Sequence, residues 1–261
     1  MDAPATDRIA ANDRIAVERD FHNARYGSGE DTRAHLDVYY VAISDGERDF
    51  DRIVTERSAG KTVLEYGCAD GAGVVSRLPT PRVAAAYHGI DIADAAIEVA
   101  RRRAAAAGYR NCTFHAMNAE AMTFADASFD LIYGHGILHH LDLEKCFAEL
   151  YRTLKPGGAA VFMEPLGHNI LLNWYRARTP DLRTPDEHPL VAGDLRLAAR
   201  HFDAVETRFT GLTTLLALPL RRTKLARPAL AAAIAVDRVL LRFRPLGLQA
   251  WYVLMVMRKS P

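Results

Sequence analysis

The stretch VLEYGCADGAG, Val63–Gly73, decides the fold. An apolar run ends in an acid, Glu65, and then breaks into glycine at Gly67, Gly71 and Gly73. That pattern is a short buried strand feeding a loop whose bare backbone approaches a ligand. Two ligand classes favour such a loop. A dinucleotide phosphate wants backbone N–H groups and a helix N-terminus with no anion nearby. A nucleoside with a cationic tail welcomes a carboxylate. Glu65 decides between them, because it would repel a pyrophosphate and attract an ammonium or sulfonium. The spacing agrees: a dinucleotide fingerprint reads G-x-G-x-x-G directly after the strand, whereas the frame from Gly71 gives G-x-G-x-x-S too far along. No Lys-Ser or Lys-Thr follows, which excludes a phosphate-binding P-loop.

Outward from this loop, strands alternate with helices. VAAAYHGIDI is a second strand closed by Asp91, and CTFHAM is a third. SFDLIYGHG is a fourth, and AAVFMEP a fifth ended by Pro165. Between them lie a helix started by Asp94, AAIEVARRRAAAAG, and another, LEKCFAELYRTLKPGG, with a Pro156-Gly157-Gly158 stop. GVVSRL starts a short helix limited by Pro79, and DAVETRFTGL and AWYVLMVMRK read as two further strands. The alternation predicts an α/β fold with a mostly parallel sheet and helices on both faces. Ligands of such sheets bind at the carboxyl edge of the strands. Asp91, twenty residues beyond Gly71, stands where an acid accepts both ribose hydroxyls. Asn118, after the third strand, offers an amide to an adenine edge, and the Ala119 backbone completes that contact.

In order, VLEYGCADG, GID, NAEAMTFADASFDLIYGHGILHHL and LKPGG resemble the class I S-adenosylmethionine (SAM)-dependent methyltransferases, and are most similar to the small-molecule branch with the quinone-biosynthesis C-methyltransferases. The resemblance covers about 61–165 and implies a Rossmann-like, seven-stranded sheet. It divides the chain into an N-terminal helical lid (1–60), a SAM-binding core (61–165) and an acceptor-side segment with the last strands (166–261), all one structural domain. It implies that Glu65, Gly67, Cys68, Ala69 and Gly71 line the methionine tail and ribose. Asp91 and Ile92 then hold the ribose and adenine, with Asn118, Ala119 and Glu120 at the adenine edge and Gly134 and His135 beside the methyl. Two positions depart from the family pattern. Ala69 replaces the middle glycine, which requires a negative φ there, and Asn118 replaces an aspartate.

Methyl transfer from a sulfonium is an in-line displacement, so alignment, water exclusion and a proton acceptor are what a protein must supply. His135, His139 and Glu164 are the catalytic candidates, His135 as general base or as packing against the cofactor. Of His139 and His140, one lines the acceptor side and the other is structural. His22, Tyr26 and Tyr40 from the lid, and His168, Asn169, Tyr175 and Arg176 after the fifth strand, are the candidate acceptor contacts, with plain packing or a solvated loop as the alternative.

Composition sets bounds. Hydrophobic residues make up 49% and charged residues 25% of 261, as in a globular protein. Lys+Arg of 33 against Asp+Glu of 32 gives no basic excess for a nucleic-acid partner. Cys68, Cys112 and Cys146 lack metal-ligand spacing and fit reduced thiols, and no metal site is expected. The charged N-terminal twenty residues lack a secretory core, which points to the cytoplasm. The insert at about 213–248 is apolar with a basic cluster at Arg221, Arg222, Lys224 and Arg227. It either covers the core, forms a homodimer contact in place of a monomer, or makes peripheral contact with a membrane. The function expected is metal-independent methyl transfer from SAM to a small, hydrophobic or aromatic acceptor. A SAM-binding protein without methyl transfer stands as the alternative, and behind it a nicotinamide-dependent oxidoreductase.

Overall fold

The computed structural model describes residues 11–28, 37–73, 77–78, 80–179 and 187–261. Seven strands form one sheet in the order β3-β2-β1-β4-β5-β7-β6. They are β1 Thr62–Tyr66, β2 Ala86–Asp91, β3 Cys112–Ala116, β4 Phe129–His135, β5 Leu154–Pro165, β6 Ala204–Thr210 and β7 Tyr252–Arg258. β1 to β5 pair in parallel, and β7 runs antiparallel to both β5 and β6. This is the Rossmann-like class I methyltransferase fold expected from the sequence. Because β6 shares the direction of β5, the ends Tyr66, Asp91, Ala116, His135, Pro165 and Thr210 all lie on one edge of the sheet.

The central strands are apolar on both faces because helices cover both, and two clusters of buried side chains result. One holds Leu64, Ile132, Phe147, Leu150, Phe162 and Met255, and the other Phe50, Val54, Val63, Tyr87, Leu131 and Val161. The helices used below are α1 Ala11–Ser28, α2 Ser44–Ser58, α3 Asp94–Ala106, α4 Leu143–Thr153, α5 Ile170–Ala177, α6 Ala192–His201 and α7 Ala226–Leu240.

Two local expectations are corrected. α4 ends at Thr153, and Pro156-Gly157-Gly158 belongs to β5 rather than to the helix stop. Asp94 is the first residue of α3 and gives no side-chain cap, since Ala93 holds the N-cap position. The insert reaches the core at Leu241 and Leu248, while along α7 the buried residue is Asp237. Val74–Ser76 and Pro79, and with them most of the helix expected after the glycine loop, lie outside the described residues.

Candidate active site

The loop after β1 is built by close approach. Gly71 sits at φ +71, and a Cβ there would lie 3.0 Å from the Ala100 backbone, so this glycine lets the loop rest on α3. At the end of β4, a Cβ on Gly134 would come within 2.6 Å of Phe162 and 2.9 Å of the Tyr66 carbonyl. Only glycine fits between those two neighbours. Ala69 departs from the expectation of a negative φ: it adopts +49, the left-handed region. That conformation is costly for alanine.

A cavity of ≈ 220 Å³ opens at this edge. From the sheet come Gly67, Ala69, Asp91, Ile92, Asn118 and Ala119, and beyond β4 come His135, Gly136, Ile137 and His140. α1 closes the other side with Arg14, Glu18 and His22. Arg14 clamps the helix down, donating to the His140 carbonyl at 2.7 Å and to the buried Glu120 carboxylate. Glu120 also accepts from the Asp142 backbone N–H at 2.8 Å.

Asp91 receives the Ala69 and Ala93 backbone N–H groups, one on each oxygen at 2.9 Å. Each oxygen keeps a second lone pair for a diol. Burial pushes the Asp91 carboxyl above its usual range, against the pull of those backbone donors and of His22. Asn118 folds its Oδ1 back onto the Glu120 N–H at 3.0 Å, which leaves the amide nitrogen for a base edge. Ile90, Ile92 and Met117 supply apolar walls for a flat ring. An acid for a cis-diol, apolar walls and an amide at the rim together fit an adenosine.

Glu65 lies at the tip of β1, outside the cavity lining. It is held by the Tyr87 hydroxyl and, at 3.1 Å, by the Tyr133 hydroxyl. Burial pushes it up to about 7 in spite of those two donors. Its Oε1 lies 3.8 Å from where a Cβ on Gly73 would stand, so it still borders the glycine loop.

The three catalytic candidates separate. His135 lines the cavity, but burial and the nearby Arg77 guanidinium depress it to about 4. A neutral, weakly basic imidazole is a poor proton acceptor near neutrality. His139 turns away and places Nδ1 2.8 Å from Glu164 Oε2. Glu164 is fully buried and also accepts from the Ile137 and Leu138 N–H groups at 2.9 Å each. Burial favours its neutral form, yet these three donors hold it below the usual carboxylate range. Burial likewise lowers His139, so a neutral imidazole donates Nδ1–H to an ionised Glu164. This pair shapes the turn after β4 and presents His140 instead.

His140 is the residue of the HH pair that faces the cavity, with Nδ1 3.5 Å from Glu18 Oε1. Glu18 Oε2 lies 3.4 Å from His22 Nε2. Glu18, His22 and His140 thus place ligand atoms within 4.8 Å of one another, as do His139, His140 and Glu187. Neither group shows in local spacing, because each joins residues far apart in sequence. Sequence reasoning also missed Arg14 and Glu18. Their spacing with His22, four residues apart, is the helical-face signal that could have found them.

Among the described residues, the other candidates do not line the cavity. Cys68 is buried under the loop and packs beside Gly89. Tyr40 stacks on Trp251 at 5.6 Å. His168 accepts from the Ala192 N–H at 2.9 Å, capping the start of α6. Asn169 caps α5 through the Leu171 and Leu172 N–H groups and donates to the Gln249 carbonyl at 2.7 Å. Arg176 donates to the Leu166 carbonyl at 2.8 Å, and Tyr175 is 42% exposed. The Tyr26 side chain lies outside the described residues.

Comparison with known proteins agrees with this geometry. Residues 63–158 match a family model described as a methyltransferase domain. An aklanonic acid methyltransferase of Streptomyces sp. strain C5 is 32% identical over 139 residues, 53% of this chain and 60% of that protein. A demethylmenaquinone methyltransferase of Chlorobaculum parvum is 29% identical over 155 residues, 59% of this chain and 58% of that one. The chain therefore spans a little over half the length of these relatives. Among solved structures, a geranyl diphosphate C-methyltransferase from Streptomyces coelicolor superposes with a TM-score of 0.61 at 16% identity, covering 99% of this chain and 100% of that one. A [4+2]-cyclase, SpnF, superposes at 0.54 with 19% identity and 81% of each chain. These two likenesses concern the fold. Residues 63–158 thus match a methyltransferase domain, and the chain is similar in sequence to methyltransferases acting on aklanonic acid and demethylmenaquinone.

Proposed function

We propose that the chain transfers a methyl group from SAM to a small acceptor of hydrophobic or aromatic character, without a metal. The reading rests on one observation: Asp91, Asn118 and His140 line one cavity together. When bound, SAM supplies an electrophilic methyl on a sulfonium whose thioether leaves readily. Asp91 accepts the ribose hydroxyls, Ile92 and Met117 flank the adenine, and Glu65 faces the cationic tail across the glycine loop. His140 takes the acceptor proton at its ring, and Glu18 orients that ring and offsets the charge it gains. The Glu164–His139 pair holds the turn that carries His140. α1, clamped by Arg14, excludes water from the cavity.

Calorimetric titration with SAM, S-adenosylhomocysteine and NADH is the first test. Binding of the first two without the third is expected, and Asp91→Ala should weaken SAM by at least about tenfold, the loss of one charged hydrogen-bond acceptor. With phenolic and quinol acceptors, S-adenosylhomocysteine should accumulate in the presence of a chelator. His140→Ala should lower turnover while SAM affinity holds. NADH binding without SAM would overturn the reading. The cyclase among the fold's relatives motivates a second reading, in which SAM is held but not consumed. SAM binding with no S-adenosylhomocysteine from any acceptor would favour it.

A further inference from the structure

The insert between β6 and β7 divides the charge of the molecule. Residues 213–248 hold seven Lys and Arg against one acid, Asp237. The whole chain has 33 against 32, so the remainder carries 26 against 31 (33 less 7, 32 less 1). The lone acid is spent internally. Asp237 is buried and accepts from the Leu212 and Thr213 N–H groups at 3.0 and 2.7 Å and from the Thr213 hydroxyl at 2.6 Å. It pins α7 to the 3-10 helix Thr213–Leu220 and makes the insert a built hairpin rather than a loose loop. Arg222, Lys224, Arg227, Arg242 and Arg244 are exposed, and among the described residues no carboxylate pairs with them.

Beside these cations the hairpin exposes large apolar side chains. Leu216 is 74% exposed, Leu225 60%, Val239 66% and Phe243 63%. A second apolar face stands at the same edge of the sheet. α5 follows β5 and exposes Ile170 at 80%, Leu171 at 74% and Trp174 at 58%, with the Arg178 guanidinium 3.7 Å over the indole. The Asn169 bond to the Gln249 carbonyl ties the start of α5 to the end of the insert. Exposed apolar side chains rimmed by cations, with no acid among them, match a surface that is apolar within and anionic at its face.

We infer that this edge docks on an anionic lipid bilayer, with the 213–248 hairpin as its principal contact. Arg222, Lys224 and Arg227 meet lipid phosphates, and Leu225, Val239 and Phe243 enter the boundary between headgroups and acyl chains. Since β6 and β5 end on the edge where the cavity opens, docking turns the cavity side of the protein toward the bilayer. The contact stands independently of the proposed methyl transfer, because none of its residues lines the cavity.

Co-sedimentation with vesicles tests it. The full chain should pellet with phosphatidylcholine vesicles containing roughly a third phosphatidylglycerol and stay in solution with phosphatidylcholine alone. Half-molar salt should release most of it, since exposed charges are then screened within a few ångströms. Charge reversal at Arg222→Glu, Lys224→Glu and Arg227→Glu together should weaken vesicle binding at least about tenfold, leaving SAM affinity and the thermal midpoint in place. Leu225→Ser with Phe243→Ser should weaken it similarly. Absence of pelleting with either vesicle would overturn the inference, as would equal pelleting with both. A concentration-dependent dimer in light scattering that the same variants abolish would assign the face to a second copy and overturn it too. SAM titration of the same samples separates failure of docking from failure of the cofactor reading.

Discussion

Glu65 and Glu164 stand two strands apart on the same edge of the sheet, and the protein treats them oppositely. Glu65, at the tip of β1, meets two phenols and is pushed up to about 7. Glu164, at the tip of β5, is the more deeply buried, yet it is held below the usual range. The difference lies in the donors. Glu164 receives two backbone N–H groups and an imidazole, all fixed by the fold. Glu65 receives two hydroxyls, which favour its charged form too weakly to offset burial. Burial alone therefore sets neither protonation state. One carboxylate is finished by the fold and serves structure. The other keeps a raised carboxyl beside the glycine loop, where the proposed reading sets a cation.

The comparison breaks most severely if Glu164 can be removed without consequence. Glu164→Ala strands two buried N–H groups and His139, and should cost about 3–5 kcal/mol, the usual loss on breaking a buried charged pair. For a domain of this size that lowers the thermal midpoint by roughly 10 °C. A melt within a degree or two of wild type would show that the turn after β4 holds without it.

Glu65→Gln probes the other half. The Glu65 carboxyl is raised from 4.5 to about 7, so its ionisation opposes folding. The penalty is absent below the unfolded value, grows as pH rises between the two values, and is complete above about 7. Removing it should raise the thermal midpoint at pH 8 and leave it unchanged at pH 4. Ligand binding should show the reverse. SAM affinity of the wild type should rise through neutrality as Glu65 ionises, and the Gln variant should lose that slope, ending about tenfold weaker at pH 8. Parallel affinity profiles would mean that Glu65 does not face the cationic tail. Tyr87→Phe sharpens the point. It removes a donor that favours the ionised form, and should move the midpoint of the SAM affinity profile up by about half a unit to one unit.

The smallest effect is expected at Ala69, in the loop between Glu65 and Asp91. Ala69→Gly relieves a positive φ at the cost of a looser unfolded chain, for a net gain of about 0.5 kcal/mol, read as a rise of one or two degrees in melting. A loss would mean that the alanine methyl makes a contact worth more than the strain.

The strand order was legible in the sequence, and so were the residues proposed for the nucleoside, because local patterns carry them. VLEYG and GID are strand ends marked by an acid, and the glycine loop sits directly between Glu65 and Asp91. The residues proposed for the acceptor were not, because they are assembled across distance. His140 meets Glu18 from α1, 122 residues away in sequence, and His139 meets Glu164 across a turn. The sequence offers three histidines, and only packing decides that His135 is desolvated, His139 engaged and His140 presented. Ala69 shows the limit at one residue: its side chain argues for negative φ, and the loop's closure overrides it. The role of the insert was equally hidden, since an apolar helix reads alike whether it faces a core or the outside.

The sheet order carries a consequence for how the chain assembles. β7 follows β6 in sequence but lies between β5 and β6. As the chain is synthesised, β1 to β5 can pair as they emerge, and the nascent domain then stops with β5 as an open edge. β6 arrives with no neighbour to join and stays a loose tether while residues 211–251 are made. The apolar hairpin thus leaves the ribosome ahead of the strand that locks its two ends. β7 then closes the sheet last, between β5 and β6, and with it the two ends of the hairpin.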